Sequence, residues 1–347
     1  MKFILFCLND YSFSILEPIK EVLVKRNYNF IWYVAPKLKN KFPFKNDKFT
    51  SSYRELKYYK SDVIFAPGNE VPFFLRGLKT QIFHGLAGEK KGHFRIRDYF
   101  DLYLTQGPYF TNKFLELKNK YKNFDVIETG WPKLDKYFKI KDKCSKYRNE
   151  LLSKNKSKYI ILYAPTFSPK LTSAPHLLNE IRSLAKNKSY TILLKFHPLM
   201  DIKWVEKYKN LANKNQNIIF KNDSDITNFL IISDLLISDT SSVVYEFILL
   251  NKPVITFRNI SDNINWKNLI EYHNLENEIT DSIKNDIYSK LRKEIIKKYH
   301  PYRDGKSAQR MVEAVVDYLK HNNIPKNRNI STFRMLKTFY KIIVKKI

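Results

Sequence analysis

Short apolar bursts alternate with amphipathic stretches from one end of this chain to the other, and no other feature limits its folding options as sharply. Lys2–Leu8, Asn29–Ala35, Asp62–Ala66, Thr80–His84, Leu102–Thr105 and Asp125–Glu128 read as strands in the first half. Tyr159–Tyr163, Tyr190–Phe196, Asn217–Phe220, Leu235–Ser238 and Val254–Phe257 repeat the pattern in the second. Helical spacing of apolar residues fills the intervals, over Phe13–Arg26, Tyr109–Tyr121, His176–Ala185, Trp204–Asn213, Asp225–Ser233, Ser242–Leu250 and Lys306–His321. Near-continuous apolar strands need cover on both faces, which helices crossing between parallel strands provide. The predicted class is α/β, with two doubly wound, Rossmann-like domains facing across a cleft. The charged, apolar-poor stretch Lys139–Lys158 is the natural boundary. It predicts a first domain over 1–140, a linker region over 141–157, a second domain over 158–323 and a tail over 324–347.

The formal charge of +28, from 62 Lys+Arg against 34 Asp+Glu, first suggests nucleic acid. Only 13 of the 62 are Arg, however, and no helix-turn-helix, zinc-finger or RNP-like signature accompanies them. Abundant Lys, Asn, Ile, Tyr and Phe is the profile of an AT-rich coding sequence. What remains of the excess points to phosphate-bearing substrates or anionic membranes rather than to nucleic acid. Two cysteines, Cys7 and Cys144, cannot build a disulfide framework. No apolar run approaches the ~18–20 residues of a spanning helix. The opening run Phe3–Leu8 meets Asn9-Asp10 with no small-residue cleavage pattern, so it reads as a strand and not as a signal peptide, and an intracellular location is expected. Zinc-like spacing, a Walker A loop and a Gly-x-Gly-x-x-Gly fingerprint are all missing, so no cofactor or metal is expected. Asp223-Ser224-Asp225 has the carboxylate spacing of a metal-nucleotide motif, but capping of the helix it opens explains it more simply.

Ligands of doubly wound sheets gather at the carboxyl ends of the strands, so polar residues directly after a strand are the candidates for chemistry. Three segments qualify. In Gln81–Lys90, His84 ends a strand and Gly85 lets the backbone turn beside a ligand; the imidazole suits a general base. In Thr191–Pro198, His197 again follows a strand, and Lys195 is unexpected in a buried strand unless its ammonium meets an anion or a cleft. In Asp234–Phe247, a strand runs through Asp239-Thr240-Ser241-Ser242 into a helix, an arrangement that holds phosphate through free amides and hydroxyls or simply caps the helix. Glu246, one turn further, is placed to accept hydrogen bonds from a ribose.

Together with Thr129–Asp135, Leu162–Phe167, Pro253-Val254-Ile255 and Asp304–Ser307, these segments resemble the CDP-glycerol glycerophosphotransferase family, the teichoic-acid type polyol-phosphate transferases with a GT-B fold. Order and spacing hold from about residue 80 to 320. Lys133 and Lys195 stand where the family carries Arg, Leu86 where it carries Thr, and Thr240 where it carries an aromatic residue. The resemblance implies a first domain on the acceptor side and a second that holds a CDP-activated polyol donor. It implies attack by an acceptor hydroxyl on the β-phosphorus with loss of CMP, His84 as base and His197 stabilising the donor phosphate. Gly85, Thr166, Lys195, Ser241, Ser242 and Glu246 would bind the donor, and Lys90 and Lys133 would face its phosphates. A lipid-linked or glycan acceptor in cell-surface polymer synthesis is the implied partner. His300–Gly305 and Arg258-Asn259 also resemble UDP-N-acetylglucosamine 2-epimerases, which makes such an enzyme or a nucleotide-sugar glycosyltransferase the alternative. A noncatalytic basic membrane-surface protein is a further one.

From Lys326 to Ile347 the chain has basic residues and no acid. Wound as a helix, it puts Phe333, Leu336, Tyr340, Ile343 and Ile347 on one face and Arg334, Lys337, Lys341 and Lys345 on the other. That is the pattern of a helix lying in an anionic membrane interface, and it predicts a peripheral enzyme on the inner face of the cell membrane.

Overall fold

A computed structural model describes residues 1–86, 92–221, 226–261, 264–325, 328 and 330–344, with the side chains of all of these but 141, 142 and 341–344. Lys90, Asp223, Ser224, Asp225, Lys345 and Ile347 lie outside the described residues. The chain forms two compact units, Met1–Phe138 with Lys298–Ile347, and Lys139–Lys297.

In the first unit, β1 (Lys2–Cys7), β2 (Asn29–Val34), β3 (Phe49–Thr50), β4 (Val63–Ala66), β5 (Leu78–Gln81), β6 (Leu102–Thr105) and β7 (Asp125–Glu128) make one parallel sheet. Their order is β3-β2-β1-β4-β5-β6-β7. The second unit holds β8 (Tyr159–Tyr163), β9 (Tyr190–Lys195), β10 (Ile218–Lys221), β11 (Leu235–Ser238), β12 (Val254–Phe257) and β13 (Lys267–Leu269), all parallel, in the order β10-β9-β8-β11-β12-β13. The apolar bursts became strands because both faces are covered: Phe3 to Cys7 in β1 and all of β4 are buried, as are Ile160 to Tyr163 in β8. Each such side chain contributes roughly 1.5–3 kcal/mol on burial, which outweighs any local preference. The α/β class and both doubly wound sheets are as predicted.

The strands that sequence periodicity overlooks, β3 and β13, are the short edge strands, too brief to show a pattern. Thr80–His84 ends early as a strand, at Gln81, because Phe83 takes a φ of +60°. The region 141–157 is no linker. It is the helix Lys141–Asn155 of the second unit, tied down by Arg148, whose guanidinium donates to Asp234 at 2.9 Å and to the Ile232 carbonyl at 2.6 Å.

The second boundary also differs from the prediction: the chain leaves the second unit after Lys297, not 323, and the helix Ser307–His321 returns to the first. Two sequence motifs make that return. Asp135 accepts the Ser307 and Ala308 N–H groups at 2.9 and 2.7 Å, so it caps the returning helix from 172 positions earlier in the chain. Gly130, at φ +89°, lies so close to Ser307 that a Cβ would meet its Oγ at 2.4 Å. Trp131 N–H donates to Nε2 of buried His300 at 2.9 Å, and the Tyr302 hydroxyl donates to Glu128 at 2.7 Å. No signal in local periodicity marks a joint of this kind, since its partners are distant in sequence.

The tail, expected to stand apart, is grouped with the first unit. Arg328 grips buried Asp101 through Nε and Nη2, each at 2.6 Å, and Ile330 and Met335 pack on the apolar core. In the helix Thr332–Val344, Arg334 pairs with Asp98, and Phe339 lies against Phe73 and Phe74. This arrangement turns Phe333, Leu336 and Tyr340 outward, 74%, 63% and 56% exposed. No described helix is long and apolar enough to cross a membrane.

His300 must be neutral to accept from Trp131, and burial, with Arg310 nearby, holds its pKa down at about 4 against an ordinary 6.5. Below pH 6.5 the unfolded chain takes up a proton that folded His300 refuses, so stability falls as pH drops towards 4. Between pH 7 and pH 5 this group alone removes about 2 kcal/mol. Urea unfolding should therefore show the wild type losing about that much more than His300→Gln over the same interval. Equal losses would contradict the assignment.

Candidate active site

Each sheet reverses its strand order once, between β1 and β4 and between β8 and β11. Loops leaving the carboxyl ends of those strands diverge, and that is where a doubly wound sheet takes its ligand. His84 and Gly85 belong to the first unit; Thr166, Lys195, His197, Ser241, Ser242 and Glu246 belong to the second.

In the first unit, the +60° φ of Phe83 is a strained conformation for a bulky residue. Trp131 Nε1 donates to its carbonyl at 3.2 Å, and its ring packs on His93 and Phe114 with centroids 5.2 and 5.1 Å apart. This turn delivers the exposed His84 onto the ring of Tyr11, the first residue of the helix Tyr11–Lys25 that follows β1, at 5.2 Å between centroids. Its Nδ1 lies 3.2 Å from the Pro67 carbonyl, in the loop after β4. A carbonyl oxygen can only accept, so Nδ1 carries the proton and Nε2 has the lone pair. Gln106, directly after β6, donates to the Gly85 carbonyl at 3.0 Å. Burial pushes the Tyr11 phenol upward, so it stays protonated beside the imidazole.

In the second unit, His197 is exposed after β9 and its Nδ1 accepts the Leu199 N–H at 3.1 Å. A backbone N–H can only donate, so the neutral ring carries its proton on Nε2, the reverse of His84. Phe167 stacks on the His197 ring at 4.4 Å between centroids. Lys195 ends β9 buried, and its ammonium donates to the Phe196 carbonyl at 2.7 Å. That bond helps a buried strand carry a cation there, two residues before His197 is reached.

Asp239, fully buried after β11, joins these loops. Oδ1 accepts the Thr166 N–H at 2.8 Å, and Oδ2 accepts the Ser173 N–H at 2.8 Å and its hydroxyl at 2.9 Å. Its carbonyl accepts Asn259 Nδ2 at 2.8 Å and the Ser241 N–H at 3.0 Å. Burial pushes the carboxyl up to about 6, with the Ser173 and Thr166 hydrogen bonds pulling the other way. Ser241 and Ser242 are half-buried in the next turn, and Ser242 stands at the N-cap of Val243–Ile248 without its side chain capping it. Glu246 is buried within that six-residue helix. Among the described residues no group of three His, Cys, Asp or Glu side chains could hold a metal ion.

Sequence reasoning singled out both histidines but overlooked Tyr11, Gln106, Phe167 and the role of Asp239. Each of these four follows an apolar strand closely, after β1, β6, β8 and β11, so the strand-end criterion applied to every strand would have found them.

Residues 80–317 match the family described as CDP-Glycerol:Poly(glycerophosphate) glycerophosphotransferase. The chain is 27% identical over 255 residues to the teichoic acid ribitol-phosphate polymerase TarL of Staphylococcus aureus, covering 65% of this chain but only 43% of that protein. It is 26% identical over 285 residues to the teichoic acid poly(glycerol phosphate) polymerase of Bacillus spizizenii, covering 70% of this chain and 69% of that one. Its fold is similar to that of the wall teichoic acid polymerase TagF, with a TM-score of 0.68 at 18% identity over 92% of this chain and 89% of the other. It is also similar to UDP-GlcNAc 2-epimerase from Neisseria meningitidis, with a TM-score of 0.65 at 15% identity over 91% and 100% of the two chains. These likenesses show the GT-B-like fold that the sequence predicts. The family match spans well over half of the 347 residues, and the chain belongs to the CDP-glycerol:poly(glycerophosphate) glycerophosphotransferase family.

Proposed function

We propose that this chain transfers a polyol phosphate, glycerol phosphate or a close relative, from a CDP-activated donor to a hydroxyl of a membrane-associated acceptor in cell-surface polymer synthesis. The opposite wiring of the two histidines carries this reading. An acceptor oxygen attacks the donor β-phosphorus, the bond from that phosphorus to the CMP oxygen breaks, and the hydroxyl proton passes to Nε2 of His84. His197 donates from Nε2 to an oxygen of the phosphate as charge develops there, and protonating it further would cost the bond from Leu199 N–H. Lys195 adds positive charge nearby. Thr166, Ser241 and Ser242 hold phosphate oxygens, Gly85 admits the substrate beside His84, and Glu246 takes the ribose. Holding the reactants in line and stabilising charge suffices for this kind of transfer. The relatives support the substrate class: both ribitol-phosphate and poly(glycerol phosphate) polymerases are among them, and TagF has been solved after soaking with CDPG.

The tail helix supports the acceptor's location. Docked by Arg328 and Arg334, it presents Phe333, Leu336 and Tyr340 outward, next in sequence to Lys337 and Lys341. That surface suits an anionic bilayer.

With CDP-glycerol and an acceptor preparation, His84→Ala should lower CMP release by about 10²–10⁴-fold. His197→Ala should lower it by about 10²–10³-fold. Near-normal turnover in both variants, or release of UDP from UDP-sugars instead, would overturn the proposal. In flotation with phosphatidylglycerol vesicles, replacing Phe333, Leu336 and Tyr340 together by Ser should abolish binding, and unchanged binding would remove the membrane role from this helix.

A further inference from the structure

We propose that Asp239 is the positioning residue of the second unit's site, acting on His197 through the Thr166 amide and the ring of Phe167. The inference rests on the role given above to His197. His197 is exposed, and the Leu199 N–H holds one edge of its ring and sets its tautomer. Phe167 lies on the face of that ring, 29° from parallel. Phe167 is itself 39% exposed, so packing alone does not hold it. Its backbone is held instead: the preceding Thr166 N–H is bonded to Asp239 Oδ1, and the far end of the same loop is bonded at Ser173 to Oδ2.

One carboxylate therefore closes the loop 166–173 at both ends. The geometry requires a carboxylate and not an amide. Three donors converge on two oxygens, and Asn would present an NH₂ group to at least one of them. Glu would carry the oxygens a methylene further into a fully buried site. The carbonyl of the same residue fixes Asn259 and the Ser241 N–H, so the phosphate-side turn and the His197-side loop take their relative placement from a single residue. Asp239 touches none of the reacting atoms in this scheme. Its contribution is to hold the Nε2–H of His197 where phosphate charge develops, and a misplacement of about 1 Å there costs about 10²-fold in rate.

The test uses the full chain, with histidine imidazoles assigned by NMR and steady-state kinetics on CDP-glycerol. In the wild type the His197 ring protons should lie upfield, shifted by the face of Phe167. Asp239→Asn and Phe167→Leu should each move them towards unstacked values while leaving His84 and His300 in place. Each variant should lower kcat with a smaller change in KM, Asp239→Asn by about 10²-fold. The double variant should cost less than the product of the two single effects, because both act through one ring. Unmoved His197 resonances in Asp239→Asn, or kinetic effects that multiply fully, would overturn the proposal. If Asp239→Asn does not fold, Phe167→Leu, at a half-exposed position, decides: unchanged His197 signals and kcat would overturn it. Shifted resonances in a protein that turns over no CDP-activated donor would leave the positioning role standing and remove the proposed function instead.

Discussion

Every strand of both sheets runs parallel to its neighbours, and this single constraint organises the molecule. Parallel pairing sends all the loops that follow strands to one edge, and the reversal of strand order opens a gap among them. In the first unit the gap is furnished by Tyr11, at the start of the helix after β1, and by Pro67 and His84, from the loops after β4 and β5. In the second it is furnished by Thr166 and Asp239, after β8 and β11, with His197 beside them. Residues far apart in sequence meet because their strands are adjacent, and polar groups concentrate there because the strands themselves are apolar and buried.

The motifs that carry the two sequence resemblances divide into two kinds. His84-Gly85, Lys195–His197 and Asp239–Ser242 stand at the strand ends and point to chemistry. Thr129–Asp135 and His300–Ser307 form a joint: Asp135 caps the returning helix, Gly130 makes room for Ser307, and His300 accepts from Trp131. A short recurring motif is thus as readily a device for closing the chain as for binding substrate, and only the partners of each side chain tell them apart.

The fold class, most strands and the strand-end positions of both histidines were legible in the sequence because burial on two faces leaves an apolar burst and a parallel sheet sends the loops that follow to one edge. The chain's return to the first unit was not legible, since helix Ser307–His321 carries the same amphipathic pattern whichever sheet it covers. The helix Lys141–Asn155 belongs to the second unit and not to a linker, held there by Arg148, and its charged sequence with no broad apolar face gave no sign of that attachment. Asp239 was in view but its role was not, because a carboxylate flanked by Ser and Thr looks like any turn until its donors are identified. In the tail helix, Arg334 faces the body of the first unit, while Phe333, Leu336 and Tyr340 face outward.

The central claim is that one histidine is built to take a proton and the other to give a hydrogen bond. Long-range ¹⁵N–¹H correlation of the neutral imidazole rings measures this directly and needs no substrate. His84 should appear with its proton on Nδ1 and a lone pair on Nε2, and His197 with its proton on Nε2 and a lone pair on Nδ1. The same tautomer in both rings, or the reverse assignment, would contradict the account.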